Sequence, residues 1–272
     1  MLPLLAETAG FNALVRAKHG LMLFNKNDAY IGRSIGKYGE FSEGEIAIFD
    51  QLCRPGDIVV EVGANIGTHT LPIAKMVGVA GRVHAFEPQR IVFQTLCANM
   101  ALNSVTNVEC HHAALSKEPG TLHIPDLAYD REENFGGVEV SRFGEGVPVP
   151  MMRMDDALDM PRCRLIKIDV EGMEHDVIRG ATSLIARHRP ILYVENDRLE
   201  KSAALIELIE SFGYHLYWHT PPMFNPQNHA HDPENIFPGI FSVNMVCIPN
   251  DQTFELEGFV PVRRGEHPLI VT

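Results

Sequence analysis

The sequence predicts an α/β fold built on a doubly wound sheet of seven strands, from two observations. Between Ile58 and Val194, short β-branched runs alternate with helical patterns, as in a parallel sheet covered by helices on both faces. A glycine-containing turn directly follows the first of those runs, where such sheets place their ligands. A chain of 272 residues exceeds the usual size of one domain but fits a single α/β domain with additions, so residues 1–272 read as one unit.

The elements follow in order. Residues 1–55 form an N-terminal extension with an expected helix over Ala6–Lys18, a strand over Leu21–Phe24 and a helix over Glu43–Leu52. That last helix is preceded by Ser42 and carries Glu45 in the Ser-x-x-Glu capping arrangement. Strands are expected at Ile58–Val62, Arg82–Phe86, Val108–His112, Leu165–Asp169 and Ile191–Glu195. Helices fill the gaps at Thr68–Met76, Gln89–Leu102, Met173–Arg187 and Leu199–Phe212, the last with an apolar stripe through Leu199, Ala203, Ile206 and Ile209 and a stop at Gly213. Tyr214–Trp218 and Phe241–Cys247 complete the seven strands. Residues 117–154 break the alternation and read as a β-rich insertion, with strand-like runs Thr121–Ile124, Gly137–Val140 and Val147–Met152. Residues 219–240, rich in Pro, Asn and His, form a long connection on the substrate side.

Composition narrows the function classes. Apolar content of 45% and charged content of 21% are those of a globular protein, and no apolar stretch is long enough to span a bilayer. Met1–Ala6 has no basic flank, so it does not read as a secretory signal and a cytoplasmic protein is expected. The five cysteines are scattered with no Cys-x-x-Cys pair, which argues against a disulfide framework or a thiolate zinc site. A formal charge of −12 disfavours nucleic acid as a partner.

The chemistry begins at Glu61-Val62-Gly63-Ala64-Asn65-Ile66-Gly67-Thr68. Gly63 and Gly67 permit a sharp turn, and the helix that follows offers free N–H groups to a carboxylate, such as that of a methionine moiety. Glu61 suits a cationic ligand. The spacing is Gly-x-x-x-Gly with an acid two positions ahead, not the G-x-G-x-x-G of dinucleotide sites. The second strand ends at Glu87, where an acidic side chain would hydrogen-bond a ribose diol.

Together these residues resemble the FkbM-like family of S-adenosylmethionine-dependent methyltransferases. The resemblance runs through Val60–Thr70, Phe86-Glu87-Pro88 and Leu165-Ile166-Lys167-Ile168-Asp169-Val170-Glu171-Gly172-Met173-Glu174, and covers roughly Gly39–Glu195. It implies the seven-stranded Rossmann-like methyltransferase fold, S-adenosylmethionine as cofactor and O-methylation of a hydroxyl on a sugar, glycan or secondary metabolite. Glu61 departs from the Asp of many members, changing reach but not charge. In this frame Glu61, Gly63, Asn65, Gly67, Thr68 and Glu87 hold the cofactor, with Ala114 beside the adenine edge. Tyr38, in Tyr38-Gly39-Glu40-Phe41, resembles a family segment that closes over the methionine end.

Like charges at Asp169, Glu171 and Glu174 require a cation, a base role or hydrogen bonds to compensate them. Asp169, Glu171 and His175 are the candidates for the base that removes the hydroxyl proton. Asp169, Glu195 and Asn196 are expected to converge, and such oxygen ligands suit a divalent cation such as magnesium; a polar cluster without an ion is the alternative. His219, Asn225 and His229 of the long connection are candidates to bind a polyhydroxylated acceptor. A nicotinamide-dependent oxidoreductase is the main rival, but the chain lacks G-x-G-x-x-G and a Tyr-x-x-x-Lys pair. A phosphate-binding reading of Gly32–Tyr38 fails on spacing, and a non-catalytic module on the same scaffold is a third possibility.

Overall fold

A computed structural model describes residues 2–137, 145–252 and 259–270. In chain order its elements are β1 (Leu4–Glu7), β2 (Asn12–Ala17), β3 (Gly20–Asn25), α1 (Ile31–Tyr38), α2 (Glu43–Leu52), β4 (Ile58–Val62), α3 (Thr70–Val77), β5 (Arg82–Phe86), α4 (Arg90–Leu102), β6 (Val108–His111), β7 (Ala114–Leu115), β8 (Gly120–Ile124), β9 (Val147–Met152), α5 (Met154–Ala157), β10 (Leu165–Ile168), α6 (Glu174–Arg179), α7 (Thr182–His188), β11 (Ile191–Glu195), α8 (Leu199–Ser211), β12 (Tyr214–His219), β13 (Asn244–Pro249) and β14 (Val260–Pro261).

The main sheet has the order β14-β12-β13-β11-β10-β4-β5-β6. From β11 to β6 all neighbours are parallel, while β13 runs antiparallel to both β11 and β12. The chain crosses between β4 and β10 to build the second half, so the strand order reverses there and leaves a crevice over the carboxyl ends. The seven expected strands are present in this sheet, with β14 as an added two-residue edge. Helices cover both faces, so the central strands are apolar on both sides: Val59 and Val60 of β4, Leu165 and Ile166 of β10, and Leu192 and Val194 of β11 are all fully buried. Each such side chain contributes about 1.5–3 kcal/mol by leaving water. Lys167 of β10 and Glu61 of β4 are buried polar residues inside this apolar slab.

The structure corrects several expectations. Ala6–Lys18 is not a helix but the strands β1 and β2, which with β3 form a separate antiparallel sheet. The reason lies in β2, where Ala13, Val15 and Ala17 are buried in strict alternation, a period of two rather than 3.6. Helix α1 was not anticipated; it buries Ile31, Ser34, Ile35 and Tyr38 on one stripe. The single helix expected over Met173–Arg187 is divided into α6 and α7. The break falls at Gly180, where a Cβ would stand 2.1 Å from the Ser116 carbonyl oxygen, so only glycine fits, and glycine is a poor helix former. Ser42 does not cap α2 through its side chain: it sits at φ +50°, and its hydroxyl donates to Glu45 Oε1 at 2.8 Å. The strand expected from Phe241 begins at Asn244, and Phe241 instead pairs in an isolated antiparallel bridge with Pro222.

Within 117–154, β8 pairs with β9 and β9 with β7 in a three-stranded sheet. The expected strand Gly137–Val140 lies, beyond Gly137, outside the described residues. Among the described residues, no helix is long and apolar enough to cross a membrane.

Candidate active site

A cavity of about 340 Å³ opens over the carboxyl ends of β4, β5, β10 and β11, within the range of small-molecule sites. One wall is the turn after β4. Gly63 adopts φ +82°, and a Cβ there would lie 1.8 Å from the Asp169 carbonyl oxygen, so only glycine allows the β4 and β10 ends to approach this closely. Gly63 and Ala64 both donate their N–H to the Phe86 carbonyl, at 3.0 and 2.9 Å. Asn65 takes the left-handed conformation at φ +49°, and its Oδ1 accepts the Ile66 N–H at 2.8 Å. Gly67 closes the turn against Leu96 and Met100 without lining the cavity.

Glu87 ties this turn to β5. Its Oε2 accepts the Asn65 N–H at 3.0 Å and its Oε1 the Gln89 N–H at 2.8 Å. Each oxygen keeps acceptor capacity, and the residue faces the cavity with Pro88 and Gln89. Burial pushes its carboxyl up to about 7 despite those two N–H groups. Thr68 and Ala114 also line the cavity.

Glu61 lies behind the turn rather than in the cavity. Thr70 Oγ1 donates to its Oε2 at 2.6 Å, and its Oε1 faces Lys167 Nζ at 3.8 Å. The Lys167 ammonium also donates to Asp169 Oδ2 at 3.1 Å and to the Gly63 carbonyl at 3.4 Å. Burial opposes its charge, but the carboxylates of Asp169, Glu61 and Glu45 outweigh that and hold it above the ordinary lysine value. A single buried cation thereby joins the first acid of the glycine turn to the acid after β10.

On the facing wall, ligand oxygens of Asp169, Glu171 and Glu195 lie within 4.8 Å of one another. Glu171, at φ +54°, begins a turn with Gly172 at φ +92°, and its carboxylate pairs with Arg198. Burial and the neighbouring Asp169 push Glu171 up to about 7. Burial, then Asp169, holds Glu195 well above the usual carboxylate range, and its Oε2 is buried without a hydrogen-bond partner. Glu174 is structural, its Oε1 accepting the N–H groups of Val170 and Gly172 at 3.3 and 2.9 Å.

Asn196 does not join the three acids: its buried amide donates to Met245 Sδ at 3.3 Å and it does not line the cavity. Glu171 supplies the third oxygen instead. His175 sits partly exposed beside Asp176, outside the cavity. His219 shares a hydrogen bond with Tyr193 at 2.8 Å and is also outside it.

The segment 219–240 meets the cavity through Met223 and Ile240, continued by Phe241 and Ser242, so its contribution is largely apolar. Its polar groups hold it in place. Asn225 donates to Glu40 Oε1 at 2.7 Å and the His229 N–H to Glu40 Oε2 at 2.8 Å, while the Tyr38 hydroxyl donates to the Glu234 carbonyl at 2.6 Å and accepts the Ile236 N–H at 2.9 Å. Tyr38, Asn225 and His229 are thus fasteners of this segment rather than cavity residues. Tyr30, at the start of α1, lines the cavity instead.

Several lining residues escaped the sequence reading. His69 packs between Phe49 and Phe41, burial lowers its imidazole to about 3, and its Nε2 has no partner. Gln89 Oε1 and Asn244 Nδ2 are likewise buried, unpartnered and on residues that face the cavity. Orphaned polar atoms are rare in folded proteins, and those of His69, Gln89, Glu195 and Asn244 sit on residues that line this one crevice.

Known proteins match this chain. It is 31% identical over 166 residues to Methyltransferase 1 of Beauveria bassiana, covering 52% of this chain and 66% of that protein. It is 26% identical over 203 residues to the 31-O-demethyl-FK506 methyltransferase FkbM of Streptomyces tacrolimicus, covering 63% and 77% of the two chains. The crystal structure of methyltransferase FkbM from Methylobacillus flagellatus superposes on 74% of this chain and 50% of its own, with 18% identity and a TM-score of 0.47. Residues 61–216, which hold the glycine turn, Glu87, Lys167 and the acids after β10 and β11, match the family model of the methyltransferase FkbM domain, and the chain belongs to that family.

Proposed function

We propose that this protein is an S-adenosylmethionine-dependent methyltransferase that methylates a hydroxyl on a sugar, a glycan or a secondary metabolite. The observation that carries the reading is one cavity bounded on one wall by Glu87 and the glycine turn, and on the other by Asp169, Glu171 and Glu195. The residues fit the cofactor. Glu87 has acceptor capacity for a ribose diol, Gln89 Oε1 and Asn244 Nδ2 lack partners, and the acid cluster favours a ligand with a cationic centre. When bound, S-adenosylmethionine supplies an electrophilic methyl group on a sulfonium.

The chain's own residues then orient and deprotonate the acceptor. Glu195 Oε2 faces the acceptor hydroxyl, and the hydroxyl proton passes to the pair of Glu171 and Glu195, which must hold one ionised carboxyl to receive it, as the oxygen bonds to the methyl carbon and the methyl–sulfur bond breaks to leave a neutral thioether. Met223, Ile240 and Phe241 exclude water and fix the acceptor's carbon skeleton, so that alignment supplies much of the acceleration. Lys167 and Arg198 already compensate Asp169 and Glu171, so in this reading the step proceeds without a divalent ion. The O-demethyl name of the Streptomyces relative supports a hydroxyl acceptor. Turnover assayed against a panel of hydroxyl compounds tests the reading: Glu195→Gln should bind cofactor normally and lose at least about a hundredfold in turnover. An unaltered turnover would remove Glu195 from the reacting centre.

A further inference from the structure

A second cluster of ligand-type side chains stands at the β6 edge of the main sheet, and none of its members lines the cavity. In the parallel pairing of β5 and β6, His84 lies opposite Glu109 and Phe86 opposite His111. A two-residue step keeps His111 on the same face as Glu109, so all three polar side chains rise from one face. His84 Nδ1 is 3.3 Å from His111 Nε2 and 3.4 Å from Glu109 Oε2, and the ligand atoms of the three residues all lie within 4.8 Å of one another. His84 is buried, and the His111 ring lies flat on Phe86, with centroids 4.3 Å apart and planes 13° from parallel. Arg82 engages the other oxygen of Glu109.

One ring nitrogen therefore has a second imidazole nitrogen and a carboxylate oxygen at near-contact, and its single hydrogen can serve only one of them. We propose that His84, Glu109 and His111 bind a zinc-class divalent ion. Donors about 2.0–2.1 Å from a tetrahedral ion stand roughly 3.3 Å from each other, the spacing that His84 Nδ1 keeps to both other donors. Two imidazoles and one carboxylate select zinc or cobalt over magnesium, and three protein ligands leave a fourth position for water. Because β6 is the edge strand and, among the described residues, pairs only with β5, the ion clips that strand to the sheet.

The test is titration of the metal-free full-length protein with Zn²⁺, in excess Mg²⁺ and against a chromophoric chelator. One equivalent should bind, and His111→Ala and Glu109→Gln should each weaken it at least about tenfold, while Asp169→Asn leaves it unchanged. Failure to bind one equivalent, or wild-type affinity in both His111→Ala and Glu109→Gln, would overturn the site, as would loss of binding in Asp169→Asn alone. Glu109 is half-exposed, so Glu109→Gln should fold even where a histidine variant does not. With Co²⁺ in that variant, altered visible absorption relative to wild type supports the assignment and an identical spectrum rejects it.

Discussion

Lys167 Nζ stands 3.1 Å from Asp169 Oδ2 and 3.8 Å from Glu61 Oε1, with the lysine side chain 2% exposed. The ammonium is therefore the countercharge of both a buried acid behind the glycine turn and an acid that lines the cavity. Lys167→Met should leave Glu61 buried without it and cost about 3–5 kcal/mol. Urea unfolding checks this, and a loss under 1 kcal/mol would show that Thr70 alone suffices for Glu61.

Glu87 combines two duties, holding the Asn65 and Gln89 N–H groups and presenting free acceptor capacity to the cavity. Glu87→Gln keeps the shape but gives up charge and one acceptor oxygen. Cofactor affinity should fall about tenfold to a hundredfold, as expected for about 1.5–3 kcal/mol of hydrogen bonding to a charged group, and thermal stability should fall too, because the new amide nitrogen faces the Asn65 or Gln89 N–H at a cost of about 1–3 kcal/mol. Calorimetric titration of the variant reads the first quantity and a melting curve the second.

The segment over the cavity depends on partners far away in sequence. Tyr38→Phe removes the hydrogen bonds to the Glu234 carbonyl and the Ile236 N–H, at a cost of about 1–3 kcal/mol. Limited proteolysis should then cut within residues 219–240 faster, while cofactor affinity changes less than about twofold. Cleavage at the wild-type rate would mean that Glu40 and the packing of Phe224 and Phe237 against Tyr38 hold the segment unaided.

His69 gives a pH signature. Its imidazole falls from the ordinary 6.5 to about 3, chiefly through burial, so between those values the unfolded chain binds a proton that the folded protein refuses. Its neutral form is accommodated above pH 6.5, and stability is lost as pH falls below that, by up to about 1.4 kcal/mol per pH unit. The raised carboxyl of Glu87 acts in the opposite direction from its ordinary 4.5 to about 7, but it is present in both proteins when wild type is compared with His69→Phe. The difference in urea-unfolding free energy between them should therefore change with that slope from pH 6.5 to 5; parallel curves would show that the imidazole protonates in place.

Much of this site was legible because its signals are local. The glycine turn, the acid at the end of β5 and the acids after β10 each follow a strand end at fixed spacing, and residues 61–216 carry that order into the family match. Lys167 was in plain view within Leu-Ile-Lys-Ile, yet its role depends on Glu61, over a hundred residues earlier, and on the sheet order that puts β10 beside β4. The polar groups of 219–240 suggested an acceptor site because their partners are remote: Asn225 and Glu40 are 185 positions apart. Ala6–Lys18 suggested a helix because Ala, Leu and Lys favour one, but pairing with β3 rewards the alternation of Ala13, Val15 and Ala17 instead.

The central claim is the cofactor, and it can be tested without knowing the acceptor. Purified protein should be titrated calorimetrically with S-adenosylmethionine and, separately, with NAD. The account predicts saturable one-to-one binding of S-adenosylmethionine, weakened in Glu87→Gln, and no heat from NAD. Binding of NAD in its place, or S-adenosylmethionine binding that ignores Glu87, would contradict it.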